Sequence, residues 1–334
     1  MSWTTLLPVA LLAVSPASPN APSRPAPLAH TFSIVARDSL TGELGVGVQS
    51  HYFSVGPVVS WAEAGVGAVA TQSLVLVDYG PNGLELMRAG LTAQQALDSL
   101  LKADAHNEGR QVAMVDAKGN VAAYTGRSCI PDAGHHTGAQ YSAQANLMAN
   151  DRVWPAMARA YEDAPGDPAE RLLAALDAAQ AAGGDIRGRQ SAALVVVKAQ
   201  SSGKPWANRL FDLRVEDSAD PLRELRRLVR LRRAYNLEDA GDNAIAEQHA
   251  EEAMRAYEQA MKLAPDVVEL QFWAAVSMYT NGRQAEALPL FRKVFAREAR
   301  WVPLVARLPQ AGLFPDDPGK VAEVQAQAVK GAKW

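Results

Sequence analysis

The sequence predicts an α+β protein, a four-layer αββα sandwich followed by an all-α helical repeat domain. Two observations point to the sandwich. Strands with period-2 alternation come in hairpin-joined groups, and helices arrive between those groups in pairs. Strands, helix pair, strands, helix pair, strands is an order that suits antiparallel sheets with helices on their outer faces, not the one-strand-one-helix alternation of a parallel sheet. A third observation sets the tail apart. After Asp217 the apolar spacing is helical, and Ala253, Tyr257 and Ala260 recur as Ala287, Phe291 and Val294, each 34 residues later.

Residues 1–17 read as a signal peptide, because Leu6 to Val14 is a short apolar stretch followed by the small residues Ser15 and Ala17, although no Lys or Arg precedes Arg24. Residues 18–30 read as a linker or propeptide: Pro16, Pro19, Pro22 and Pro25 recur at the three-residue period of a polyproline II spacer. The sandwich domain is placed at 31–217. It opens with a strand over 31–38, where Phe32, Ile34 and Ala36 alternate with Thr31, Ser33 and Arg37, then a turn through Leu40-Thr41-Gly42-Glu43 and a second strand in which Leu44, Val46 and Val48 alternate with Gly45 and Gly47. A third strand is expected at 66–71, helices at 81–88 and at 92–102 behind Thr92 as N-cap, and strands at 110–115, 121–125 and 139–144. Helices at 152–162 and 169–182, the latter closed by Gly183-Gly184, precede strands at 192–198 and 210–215. The helical domain, 218–334, begins with an amphipathic stretch at 221–235 whose Leu222, Leu225, Val229 and Leu231 sit among arginines read as a solvated face. Trp273, Trp301 and Phe314 either line a groove or pack a core, and core packing is the expectation.

Composition excludes several classes of function. Thirty-three Lys and Arg against thirty-six Asp and Glu leave a net charge of −3, so nucleic acid is not expected as a partner. The lone Cys129 permits no intramolecular disulfide and no thiolate zinc site, and reads as a buried small residue. No apolar run reaches the eighteen or so residues of a membrane span. His51, His106, His135, His136 and Asp132 lack metal-ligand spacing, and Gly45-x-Gly47 and Gly65-x-Gly67 lead into strands and not helices, so neither a metal nor a cofactor is implied.

Several separated motifs carry a family likeness. TFSIVARDSLTGELGVGVQS, GVGAVATQ, DYGPNGLELMRAG, EGRQVAMVDAKGNVAAYTG, AGHHTGAQYSAQANLM and FDLRVED, spread over residues 31–217, resemble the bacterial domain-of-unknown-function family DUF1028 of the N-terminal-nucleophile (Ntn) hydrolase superfamily. The resemblance implies the four-layer sandwich and hydrolysis of an amide-like bond by the first residue of the mature chain. It places Thr31 as that nucleophile. A threonine hydroxyl needs a base, and the residue's own α-amine, with a pKa of about 7.8, can serve when it is free. Cleavage after Ala17 or Ala29 leaves Thr31 blocked, so a free amine requires a cut between His30 and Thr31, autocatalytic or not. Ser50, Thr71, Gln72, Arg110 and Asn146 are the candidates for oxyanion stabilisation or substrate positioning, each polar beside an apolar strand. Arg37 and Asp38 either form a structural pair or help position Thr31, and the structural pair is the expectation.

The tail's 34-residue register resembles tetratricopeptide repeats, of which about one and a half units are legible, with Gly241 too early for a further one. Some relatives of the sandwich domain carry a C-terminal module described as peptidoglycan-binding. The expectation is therefore an exported amidohydrolase, secreted or periplasmic, acting on a small amide or N-acyl compound, with a tail for a protein or peptidoglycan partner and the oligomeric state open. The alternative is a non-catalytic binding or adaptor protein built on the same sandwich.

Overall fold

The structure is a computed structural model that describes residues 28–328. The signal peptide expected at 1–17 and most of the Pro-rich segment lie outside those residues. The end of that segment is no spacer. Leu28–Ala29 is a short strand, β1, laid antiparallel on Ser73 and Leu74.

β2 (Thr31–Arg37) and β3 (Leu44–Ser50) form the expected hairpin. One turn of helix, α1 (Gly56–Val59), leads to β4 (Ser60–Glu63) and β5 (Gly67–Leu74). The first helix pair is α2 (Tyr79–Arg88) and α3 (Ala93–Ala103), and Thr92 caps α3 through a reciprocal capping box with Gln95. β6 (Arg110–Asp116), β7 (Val121–Thr125), β8 (Gly134–Gly138) and β9 (Tyr141–Ala145) follow. The second pair is α4 (Val153–Asp163) and α5 (Pro168–Ala181), after which β10 (Ser191–Val197) and β11 (Arg209–Val215) close the sandwich. The sequence pattern missed β4 and β8. β8 reads Gly-His-His-Thr-Gly and offers no apolar face, so only its pairing with β9 makes it a strand.

The strands make two antiparallel sheets, ordered β1-β5-β6-β7 with β4 also on β5, and β11-β10-β3-β2-β9-β8. Three apolar layers show how they stack. Val69, Val112 and Met114 pack on Tyr79, Leu84 and Leu97 of α2 and α3; Val35, Val46 and Val48 meet Ala68, Ala70 and Ala113 between the sheets; Phe32, Ile34 and Leu194 meet Met157, Leu172 and Leu176 of α4 and α5. The result is the expected αββα order. Each fully buried leucine or phenylalanine contributes about 1.5–3 kcal/mol.

Gly45 and Gly47 have a packing reason. They face α5, and a Cβ on Gly45 would lie 2.7 Å from Leu172 Cδ1 and 3.1 Å from the Val195 carbonyl oxygen. Asp38 caps its own turn through Leu40 and Thr41 and pairs with Arg171 at 3.1 Å, while Arg37 reaches the Ala117 carbonyl. The two are therefore not side-chain partners, and both lie at the end of β2 remote from Thr31.

α6 (Pro221–Ala246) runs eleven residues beyond the expected stretch. Its first half packs Leu222, Leu225 and Val229 on the sandwich, and Arg226 and Arg233 bridge to Asp167, Glu170 and Asp177 of the α5 region. These two arginines fasten a helix instead of only facing solvent, though pairs this exposed are each worth about 0–1 kcal/mol. Its second half pairs with α7 (Ala250–Leu263), and Gly241 fits there because a Cβ would strike the Tyr257 ring at 2.5 Å. α8 (Val268–Thr280) and α9 (Gln284–Arg297) form the next hairpin. α10 (Val302–Val305) and α11 (Pro318–Gln325) finish the tail. The recurring Ala253, Tyr257, Ala287, Phe291 and Val294 are all in its core, as is Phe314, stacked on Tyr279.

Gly45→Ala is expected to overpack the β3–α5 contact and destabilise the protein by about 1–3 kcal/mol. Thermal unfolding of the variant against wild type measures this.

Candidate functional site

Strand alternation builds the site. On β2, Phe32, Ile34 and Ala36 belong to the α4–α5 layer, so Thr31, Ser33 and Val35 face the other sheet. The same parity turns Ser50 of β3, Gln72 of β5, Gln111 of β6, and Ser142, Gln144 and Asn146 of the β9 region into the space between the sheets. That layer is apolar along most of its length and polar at one end.

The polar end is a closed network. Ser33 Oγ donates to Gln72 Oε1 at 2.7 Å and accepts from Gln144 Nε2 at 2.7 Å, while Ser142 donates to Gln144 Oε1 at 2.9 Å. Gln72 Nε2 donates to Gln111 Oε1 at 2.7 Å and to the Thr31 carbonyl at 3.2 Å. Asn146 Nδ2 donates to the same Gln111 oxygen at 2.8 Å, and Gln111 Nε2 is held by the Ala145 carbonyl and Thr125 Oγ1, both at 2.9 Å. All of Ser33, Gln72, Gln111, Ser142, Gln144 and Asn146 are fully buried.

Against this network lies the His30–Thr31 peptide. The His30 carbonyl oxygen accepts from Ser50 Oγ at 2.6 Å and from Arg187 Nη2 at 2.7 Å. Asp185 holds Arg187 in place by accepting from its Nε at 3.0 Å and its Nη2 at 2.7 Å, and takes the His51 amide as well. Thr31 Oγ1 donates to the Ala29 carbonyl at 2.9 Å. Asn146 points its nitrogen at oxygens, so its Oδ1 faces His30 Nδ1 at 2.8 Å and the imidazole carries its proton there. Burial is the largest influence on that imidazole and lowers its pKa from the usual 6.5; the Asn146 bond opposes this and the Arg187 charge adds to it. Thr31 is 0 % exposed and His30 3 %, so the leader seals the hydroxyl.

Thr31, Ser50, Gln72 and Asn146 thus come together, whereas Thr71 and Arg110 do not join them. Thr71 has the opposite parity to Gln72 and donates to the Leu76 carbonyl at 3.1 Å. Arg110, next to Gln111, forms a buried ion pair with Asp104 at 2.7 Å and a hydrogen bond to the Leu74 carbonyl. Both serve the α2–α3 side of the sheet. The pattern reading missed Gln111, although its parity with Ala113 and Val115 marks it as inward. It also missed Asp185 and Arg187, which lie between α5 and β10 with no periodicity to signal them.

Among the described residues no group of three or more His, Cys, Asp or Glu is placed to hold a metal. His135 instead bonds Thr125 at 2.8 Å, and burial pushes the Cys129 thiol up, away from thiolate chemistry. No helix of the described residues is long and apolar enough to cross a membrane.

Comparison with known proteins places this sandwich. A family of unknown function, DUF1028, matches residues 31–225, more than half of the chain. The chain belongs to DUF1028. Its match extends eight residues beyond the expected boundary at 217, into the part of α6 that packs on the sandwich. The crystal structure of protein SPO2555 from Silicibacter pomeroyi, itself titled as DUF1028, is similar at 30% identity with a TM-score of 0.54, over 60% of this chain and 88% of that one. No curated protein matches the chain.

Two outcomes are expected. Gln111→Leu removes the oxygen shared by Gln72 and Asn146, and should cost about 1–3 kcal/mol in urea unfolding. His30 has a folded pKa below its unfolded one, so its contribution to holding residues 28–30 in place is complete above pH 6.5 and declines as pH falls through the lowered value. Protection of the amides at residues 28–31, measured against their intrinsic exchange rates at each pH, should therefore fall from pH 7.5 to pH 5, and His30→Gln should flatten that dependence.

Proposed function

We propose that this DUF1028 protein is an exported amidohydrolase of the Ntn type, secreted or periplasmic, in which Thr31 is the nucleophile once the His30–Thr31 bond is cut. One observation carries the reading: the carbonyl oxygen of that bond is clasped by Ser50 Oγ and Arg187 Nη2 at 2.6 and 2.7 Å. Donors aimed at a carbonyl oxygen stabilise the charge that develops on it when the carbon is attacked. Here the oxygen belongs to the peptide that blocks the nucleophile.

In the uncut chain the Thr31 nitrogen is an amide and has no basicity to offer. Attack of Thr31 Oγ1 on the His30 carbonyl carbon places negative charge on the clasped oxygen. The C–N bond then breaks, the nitrogen takes up the proton given by the hydroxyl and leaves as the α-amine of Thr31, and the acyl group is left as an ester on Oγ1. Water hydrolyses the ester to the His30 carboxylate and a free threonine. The same sequence then acts on a substrate amide: the free amine takes the hydroxyl proton and delivers it to the departing amine, and Ser50 and Arg187 hold the acyl oxygen. Asp185 is the positioning residue for Arg187. The helical tail supplies the surface for a protein or peptidoglycan partner.

The rival reading, a non-catalytic adaptor, is favoured by the complete burial of Thr31 in the uncut chain. Intact mass separates the two. Wild type should begin at Thr31, Thr31→Ala should keep its leader, and Ser50→Ala should process about 10²–10³-fold more slowly, the effect of deleting one oxyanion donor. A chain that hydrolyses chromogenic amides yet begins at His30 or earlier, or equal turnover by Thr31→Ala, removes the nucleophile assignment.

A further inference from the structure

The leader residues next to the scissile bond are in the site already, and how they are held says what else it takes. Leu28 and Ala29 pair antiparallel with Leu74 and Ser73 on the edge of β5. β4 covers that edge only from Gly67 to Ala70, so the leader occupies a stretch that no other strand of the described residues pairs. Once it departs, this edge presents unpaired backbone groups to any extended chain. Ala29 is fully buried in the apolar layer between the sheets, a slot that admits a small side chain. His30 lies against Asn146 as a hydrogen-bond donor, and its carbonyl is in the Ser50–Arg187 clasp. Leu28 is 53% exposed, so the third position is loosely specified. Opposite Ala29, Ser73 holds φ at 74°. A non-glycine residue there costs about 1–3 kcal/mol, the kind of local strain that clusters at ligand clamps.

We infer that Leu28–Ala29–His30 is an internal copy of the acyl half of the substrate, and that the processed protein acts on amides of extended peptidyl acids. The inference rests on Thr31 being the nucleophile. The acyl half adds a strand to β5, with a small residue second from the bond and a hydrogen-bond-donating planar side chain next to it. Thr31 Oγ1 forms an ester with the peptidyl carbonyl, the C–N bond breaks, the amine leaves with the hydroxyl proton, and water releases the peptidyl carboxylate. The cut leader, ending in the His30 carboxylate, is then the first product and an inhibitor until it dissociates.

The test uses full-length processed protein, verified by mass to begin at Thr31. Its substrates are the p-nitroanilides of acetyl-Leu-Ala-His, acetyl-Leu-Leu-His, acetyl-Leu-Ala-Leu and butyrate, with free acetyl-Leu-Ala-His as competitor. The acetyl-Leu-Ala-His amide should exceed each of the others in kcat/KM by at least about tenfold, the scale on which pocket shape and an unpaired polar group discriminate. The free peptide should inhibit competitively. Processed protein that turns over these amides within about twofold of one another, without inhibition by the peptide, overturns the inference and leaves Thr31 in place. Protein that retains its leader overturns both, because the slot is then permanently filled. Asn146→Asp, read only on variants that still process, should shift the preference at the residue next to the bond without changing the preference for alanine behind it. An unchanged preference there counts against the His30 subsite.

Discussion

Two sheets packed face to face can share a polar patch only when the groups in it bond to one another, since a buried amide left without a partner costs as much as several good contacts return. That constraint organises one end of this sandwich. Gln111 is its pivot: its oxygen receives both Gln72 of its own sheet and Asn146 of the other, and its nitrogen is tied to the β9 backbone. Through Gln72 and Asn146 the pivot reaches the Thr31 carbonyl, and through Asn146 it reaches His30. The placement of the candidate nucleophile is therefore a consequence of how a buried polar layer satisfies itself.

The same network separates rigid from removable parts. Ser33, Gln111 and Gln144 lie on β2, β6 and β9, Gln72 on β5 and Asn146 just beyond β9, and they bond within themselves. Among the described residues, the leader contributes edge pairing at Leu28 and Ala29 and the bonds of His30 and the Ala29 carbonyl. If it were removed, Ser50, Arg187 and the Asn146 oxygen would lose partners, while the bonds among Gln72, Gln111 and Asn146 would remain. Asp185, whose side chain is fully buried, orients Arg187 through bonds that do not involve the leader. Donors held by a second residue are what a preorganised oxyanion site requires, because they need not reorient as charge develops.

The two halves of the molecule are joined by continuity more than by charge. α6 belongs to both, packing Leu222, Leu225 and Val229 on the sandwich and Ala244 in the core of the tail. Its arginine bridges are half-exposed and add little apiece. A boundary drawn where strands give way to helices therefore cuts a helix from the layer it completes. A groove of about 620 Å³ between Asp242, Trp273 and Phe314 lies in the tail, remote in sequence from Thr31, and Phe314 serves both its lining and the core beneath.

Alternation is a property of neighbouring residues, so strand faces could be read directly: Phe32, Ile34 and Ala36 on one side of β2 and Thr31, Ser33 and Val35 on the other, and likewise the 34-residue rhythm that makes Tyr257 and Phe291 equivalent core residues. Parity applied more strictly would have separated Gln72 from Thr71 and Gln111 from Arg110 without any coordinates. Register between distant segments is not local. His30 meets Asn146 across 116 positions of chain and Arg187 across 157, and such pairings follow from how whole sheets and connecting loops settle against one another. The chain's own pattern thus specified the layers, and the family resemblance named the residue expected to act. Only packing in three dimensions decided that the peptide before Thr31 lies in the grip of Ser50 and Arg187, because the directional bonds that hold it come from elements with no periodic relation to one another.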